Sequence, residues 1–212
     1  MNPFKDRINR PFIPTIVVDN FFESPSLWRH FALNQEFYKG ERGTWPGIRT
    51  GMLKDLSTEL YEILEFKLLQ QLPQFKRFSK IESTFQLIDE TYGNGWVHDD
   101  NPEHNVAGII YLNEDAPLNS GTTLYVDEVD INADNYTQMF IDDVMSTDPA
   151  LRAQFKKYRN EQRSKFTPAT EIDFQWNRCV MFDPRTWHSA DNFFGTTKED
   201  SRLTLVFFGN AE

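Results

Sequence analysis

The chain has one cysteine, four histidines and no long apolar run, and each shortage removes a class of function. Cys179 alone cannot close an intrachain disulfide, and cysteine-rich zinc sites are excluded, which fits a reducing cytoplasm. A membrane-spanning helix needs about 18 or more consecutive apolar residues, and no stretch supplies them. Met1–Arg7 leads into no apolar run of signal-peptide length, so the expectation is a soluble, cytoplasmic protein. Basic residues are also in deficit: 22 Lys and Arg against 32 Asp and Glu give a net charge of −10 and a pI near 4.9. General affinity for nucleic acid or anionic membrane wants the opposite balance, although a local basic patch stays compatible with it. The sequence carries no signal for an oligomeric state.

The 212 residues suit a large all-β barrel or sandwich. Hydrophobic content of 39%, with 19 phenylalanines, can fill a broad apolar interior between sheets. Ile13–Val18 reads as a short strand. Ser24-Pro25-Ser26 starts a helix from Leu27 to about Glu36, in which His30 sits among Trp28, Phe31 and Leu33 as a packing or surface residue. The loop Gly40–Gly51 holds four glycines, Trp45 and Arg49. It is either a surface loop with Trp45 tucked into the core or a substrate-facing flap using Trp45 and Arg49. Asp55 then reads as the cap of an amphipathic helix, with Leu56, Leu60, Leu64, Leu68 and Leu72 at helical spacing.

From Lys80 the period changes to two, and Ile81, Ser83, Phe85 and Leu87 mark a strand. Val106–Leu112 is nearly all apolar, as a strand buried on both faces should be. Further strands are expected over Gly121–Val126, Ile172–Trp176, Cys179–Phe182 and Leu203–Phe208, a spacing that suggests a jelly-roll. Residues 127–170 differ, with helices over Asn132–Met145 and Asp148–Phe166. The second is rich in Lys and Arg and reads as a solvated face, a lid, a subunit contact or a docking face for an acidic partner.

The chemistry centres on Gly93-Asn94-Gly95-Trp96-Val97-His98-Asp99-Asp100. On an extended strand residues i and i+2 share a face, so His98 and Asp100 aim at one point and Asp99 faces away. His188, after a later strand, could supply the third member of a two-histidine, one-carboxylate facial triad for non-haem Fe(II), with His104 as a competitor. Fourteen residues on, Arg202 and Thr204 share a strand face, where a guanidinium can grip a carboxylate through two parallel hydrogen bonds. An arginine in an aromatic strand needs an anionic partner, from the protein or from a ligand.

Taken in order, Tyr92-Gly93-Asn94-Gly95, His98-Asp99-Asp100-Asn101-Pro102, Ile110-Tyr111-Leu112-Asn113, Ser120-Gly121, Arg178–Phe182 with His188, and Arg202-Leu203-Thr204 resemble one family. They are similar to the Fe(II)/2-oxoglutarate-dependent dioxygenases of the prolyl 4-hydroxylase type, including the hypoxia-sensing prolyl hydroxylases. The resemblance covers residues 80–126 and 171–212. It implies an all-β core with flanking helices, a double-stranded β-helix (jelly-roll, cupin-like), in one domain. Residues 1–79 would form the N-terminal supporting strand, loop and helices, 80–126 and 171–212 the core, and 127–170 a helical insertion.

It also implies that His98, Asp100 and His188 hold iron, that Arg202 binds the distal carboxylate of 2-oxoglutarate beside Thr204, and that Tyr111 and Tyr92 contact this cosubstrate. Trp45 and Arg49 fall where the family has a mobile substrate loop. O2 is the third reactant and ascorbate a supporting reductant. The insertion, and an extra loop at Gly195-Thr196-Thr197-Lys198, depart from the family pattern. The implied reaction is hydroxylation of a C–H bond, first of a prolyl residue in a peptide or protein, with succinate and CO2 released. A free amino acid or other small molecule is the alternative substrate, and a non-catalytic jelly-roll binding protein the alternative function.

Overall fold

In the computed structural model, which describes residues 10–39, 45–126, 133–146 and 148–212, nine strands and five helices follow one another. Strand β1 (Ile16–Val18) precedes helix α1 (Pro25–Leu33), and β2 (Ile48–Arg49) precedes α2 (Leu53–Leu56) and α3 (Thr58–Gln70). Strand β3 (Phe78–Ile88), a 3-10 turn (Glu90–Tyr92), β4 (Val106–Tyr111) and β5 (Thr122–Tyr125) come next. Helices α4 (Ala133–Met145) and α5 (Pro149–Arg163) then lead to β6 (Pro168–Ile172), β7 (Cys179–Phe182), β8 (His188–Ala190) and β9 (Arg202–Ala211).

The major sheet has the order β1-β7-β4-β9-β3-β2 and the minor sheet β6-β5-β8, with antiparallel pairing throughout. Two facing antiparallel sheets, with α1, α2 and α3 packed on the major sheet and α5 against the minor one, make the expected double-stranded β-helix. Period-two alternation assigns the faces of the major sheet. Phe85 and Leu87 of β3, with Leu203, Leu205 and Phe207 of β9, join a core with Trp28, Leu53, Leu60, Leu64, Leu68 and Leu72 of the helical layer. The alternate residues Thr84, Gln86, Ile88, Arg202, Val206 and Phe208 line a cavity between the sheets. Leu64, Leu68 and Leu72 are fully buried, and truncating one to alanine costs about 2–5 kcal/mol.

Several local expectations need correction. The helix after Ser24 stops at Leu33 rather than near Glu36, because Asn34 turns its side chain back onto the His30 carbonyl. The leucine-rich segment is two helices, not one capped by Asp55. Ser57 is extended (φ −159°), and its hydroxyl accepts from the Leu60 N–H, so it caps α3 while Asp55 lies inside α2. The strand expected over Ile172–Trp176 is β6, Pro168–Ile172, which begins inside the 127–170 segment. Turn chemistry after Ile172 ends it: Gln175 and Arg178 close a turn, and Asn177 at φ 59° exchanges two hydrogen bonds with the Phe22 backbone. His188, expected only as a residue after a later strand, opens a strand of its own, β8.

Candidate metal centre

His98 lies on a segment that extends the minor sheet. Gly95 N–H donates to the Ala190 carbonyl, and His98 and His188 exchange backbone hydrogen bonds of 3.0 and 2.9 Å, which adds residues 95–98 to the free edge of β8. The two imidazoles therefore stand on neighbouring strands, ring centres 4.4 Å apart. Asp100, two residues past His98, reaches between them: His98 Nε2 lies 3.7 Å from Asp100 Oδ1 and His188 Nε2 lies 3.6 Å from Oδ2. One donor atom from each residue falls within 4.8 Å of the other two, the only such grouping of three among the described residues.

The tautomers suit metal binding. His98 Nδ1 sits 2.9 Å from the Trp96 carbonyl and His188 Nδ1 2.9 Å from the Thr186 carbonyl. A carbonyl only accepts, so each Nδ1 carries the proton and each Nε2 offers its lone pair. Burial pulls His188 down to about 4, against the opposing charge of Asp100, so the ring is neutral at pH 7.

One turn behind the site sets two of the three side chains. Asp183 is fully buried and holds Arg185 through Nε and Nη2 at 2.8 Å each, as well as the Arg185 and Ile13 backbone N–H groups. The turn it shapes lends the Pro184 carbonyl to Asp100 N–H (2.8 Å) and the Thr186 carbonyl to His188.

Beside this centre is a buried cation with no ion pair among the described residues. Arg202 is 2% exposed and packed among the rings of Tyr111, Phe174 and Phe193, 5.5–5.8 Å from their centres, and its Nε and Nη2 have no hydrogen-bond partner among the described residues. The Thr204 hydroxyl, on the same strand face, is buried and likewise has no hydrogen-bond partner among the described residues. Burial lowers the Arg202 guanidinium from its usual value. A buried charge costs several kcal/mol of desolvation, whereas each ring returns about 0.5–2 kcal/mol, so the cluster fits an anionic ligand better than an empty pocket. Tyr111 bonds Thr122 through its hydroxyl at 2.9 Å, and burial raises its pKa, which keeps it a neutral phenol. Tyr92 meets the clamp through Phe193. Its ring packs edge-on to Phe193 and beneath the Arg152 guanidinium.

Tyr111, Thr204, Gln86 and Arg49 stand in register across β4, β9, β3 and β2 and so share one face of the major sheet, and Gln86 and Arg49 of this row line the cavity. Arg49 also pairs with the Tyr38 backbone, and its guanidinium stacks on Trp45 at 4.4 Å. Both residues line the cavity, so the flap reading of Trp45 and Arg49 suits their placement better than a core tryptophan; residues 40–44 of that loop lie outside the described residues. The cavity encloses about 790 Å³ and includes Phe140, Phe182 and Trp187 in its walls. His104 pairs with Glu82 at 3.3 Å and stays out of the donor set, as does Asp99, while His30 contacts Asn34.

The largest surprise is the insertion. Its basic helix is not merely a solvated face. Gln162 of α5 accepts from Val97 N–H (2.9 Å) and donates to the Val97 carbonyl (2.6 Å), as a neighbouring strand would. Arg159 is buried against Asp143 of α4 and the Tyr92 carbonyl, and Asp143 also accepts from Trp96 Nε1. Arg163 reaches Ser189 and Asp191. These residues, with Phe174 and Phe193 around Arg202, escaped sequence reasoning.

The comparisons with known proteins agree with this architecture. No curated protein matches the chain in sequence. Among solved structures, a prolyl hydroxylase from Trichoplax adhaerens in complex with a hypoxia-inducible-factor peptide matches with a TM-score of 0.55 at 13% identity, covering 92% of this chain and 83% of that one. HygX from Streptomyces hygroscopicus, with nickel and 2-oxoglutarate bound, matches at 0.55 and 13% identity, covering 92% and 82%. A Pseudomonas putida prolyl-4-hydroxylase matches at 0.50 and 13% identity, covering 98% and 96%. At such identities the likeness is one of fold. No described helix is long and apolar enough to cross a membrane. In sequence, residues 5–208 match the profile of a family of unknown function, and the chain belongs to that family, DUF6445.

Proposed function

We propose that this chain is an Fe(II)- and 2-oxoglutarate-dependent oxygenase that hydroxylates a C–H bond, and that it forms one such domain throughout. The observation that carries the reading is the pairing of a His98–Asp100–His188 donor set with the buried Arg202 Nε and Nη2 and the Thr204 hydroxyl, which have no hydrogen-bond partner among the described residues. Two imidazoles and a carboxylate leave open positions on non-haem iron, and a buried guanidinium beside a hydroxyl suits a cosubstrate carboxylate. His98, Asp100 and His188 would hold the iron, which with 2-oxoglutarate and O2 would supply the oxidising equivalents, with succinate and CO2 as co-products and ascorbate as a supporting reductant.

The chain's own part is positioning. The Trp96 and Thr186 carbonyls orient the two rings, and the Asp183 turn sets Asp100 and His188. Tyr111 presents a neutral phenol beside Arg202. Phe140, Phe182 and Trp187 give the cavity apolar walls. Trp45 and Arg49 face the substrate, and Tyr92 supports the cosubstrate wall through Phe193. The first reading of the substrate is a prolyl residue of a peptide or protein. A small molecule is favoured by one observation, the packing of α4 against the cavity through Phe140 and Val144. The test is succinate formation from 2-oxoglutarate with added Fe(II), followed by mass spectrometry of candidate peptides and small molecules for the gain of one oxygen atom. Absence of both turnover and metal-dependent 2-oxoglutarate binding would leave only a non-catalytic jelly-roll.

A further inference from the structure

The cavity holds a second cation with no ion pair among the described residues. Arg49 Nε and Trp45 Nε1 are both shielded from solvent, and neither has a hydrogen-bond acceptor among the described residues. The two donors belong to one stacked unit, with the guanidinium 4.4 Å from the indole centre, on the cavity wall. Arg49 forms no ion pair within the described residues. The carboxylate whose charge it feels is Asp100, which the iron reading commits to the metal. Burial pulls the Arg49 guanidinium down to about 10, so it remains a cation at pH 7.

The unit is held in place. Gly47 is at φ 73°, and a Cβ there would meet the Leu87 carbonyl oxygen at 2.1 Å, so only glycine lets the chain press this closely on β3. Gln86 donates to the Pro46 carbonyl at 2.9 Å, and the Thr50 hydroxyl accepts from Phe85 N–H at 3.1 Å. The segment that presents Trp45 and Arg49 is thus tied to the sheet on both sides of Gly47.

Register separates this cation from the cosubstrate clamp. Arg49 and Thr204 flank Gln86 in the same row, one strand to either side, which places their backbones about 10 Å apart at ordinary strand spacing. We infer that Arg49 and the Trp45 indole N–H bind a carboxylate of the substrate, so that the enzyme acts on an organic acid, free or as the acid terminus or side chain of a peptide. The inference rests on the iron-oxygenase reading, since the acid would hold its C–H bond towards the centre at Asp100.

The test uses the full chain loaded with Zn(II) and 2-oxoglutarate, a complex without redox turnover, and titration calorimetry with pairs of probes that differ only as acid and amide. Suitable pairs are N-acetylproline, N-acetylphenylalanine and a proline-containing tetrapeptide with a free or amidated C-terminus. The expected result is at least tenfold tighter binding of one acid than of its amide. Arg49→Gln should bring that ratio close to one, Arg49→Lys should keep part of it, and Trp45→Phe should lower acid affinity by a smaller factor. The retained preference in Arg49→Lys guards against a folding defect. The small-molecule and peptide pairs separate a free acid from a peptide acid. If 2-oxoglutarate itself does not bind in a metal-dependent manner, the iron reading falls and takes this inference with it. If 2-oxoglutarate binds but no acid outperforms its amide, or Arg49→Gln keeps the preference, the carboxylate assignment alone is overturned.

Discussion

Gln162 treats Val97 as a strand would: its carboxamide accepts from the Val97 N–H at 2.9 Å and donates to the Val97 carbonyl at 2.6 Å, one residue before His98. The segment 95–98 is an edge of the minor sheet, and an unpaired edge invites water or another chain. A helix side chain closes it here. The insertion is therefore a brace for the first histidine as much as a cover for the cavity.

Removing that brace should loosen the metal before it unfolds the protein. Gln162→Ala leaves two buried backbone groups unpaired, at about 1–3 kcal/mol each. Groups that hold a ligand in place are worth about 10–100-fold in metal affinity. Chelator competition for Zn(II), alongside a thermal melt, measures both effects. A variant that melts earlier yet keeps full metal affinity would show that Gln162 stabilises the fold without positioning His98.

Arg159 and Asp143 are 2% and 1% exposed, and the pair joins α5 to α4 while Asp143 also receives Trp96 Nε1. Asp143→Ala strands a buried guanidinium and should cost about 3–5 kcal/mol in urea unfolding. A change within about 0.5 kcal/mol, the range of an ordinary surface substitution, would place the pair in solvent.

What could be read from the chain alone was local. His98 and Asp100 share a face because they are i and i+2 on an extended segment, and that rule needs no tertiary information. Arg202 and Thr204 follow from the same rule. The row of Tyr111, Thr204, Gln86 and Arg49 was not legible, because it depends on register between strands far apart in sequence. The leucine pattern located the helical layer but not its break, since Asp55 and Ser57 are both good caps and only the extended backbone at Ser57 decides between them. The role of α5 was hidden because Arg159 and Gln162 look like any polar helix face until Asp143 and Val97 are brought against them.

Acid should act through Asp183. Burial by itself would raise this carboxyl, but the Arg185 side chain and the Arg185 and Ile13 N–H groups outweigh it and hold its pKa below the usual value. A depressed carboxylate contributes stability that is fully present above its unfolded pKa, near 3.9, and is lost as pH falls through the lower folded value. The wild type should therefore lose stability below about pH 4 more steeply than Asp183→Asn, which lacks that titration. Denaturant midpoints from pH 6 to pH 2.5 test this. Parallel curves for the two proteins would remove Asp183 from the acid response.

Arg202→Ala should raise the 2-oxoglutarate requirement far more than it alters the melting temperature. The substitution removes a buried charge whose desolvation cost offsets its contacts with the surrounding rings, and whose Nε and Nη2 have no acceptor among the described residues, so the folded protein loses little without ligand. An unchanged 2-oxoglutarate affinity in titration calorimetry would assign the buried guanidinium another partner.

The most direct measurement is metal-dependent 2-oxoglutarate binding compared across wild type, Asp100→Ala and Asp99→Ala. Asp100 stands between His98 Nε2 and His188 Nε2 at 3.7 and 3.6 Å, while Asp99 is outside the donor set. The predicted result is Fe(II)-dependent binding that Asp99→Ala largely retains and Asp100→Ala abolishes. Binding that needs no metal, or that survives loss of Asp100 and fails with loss of Asp99, would contradict the His98–Asp100–His188 centre.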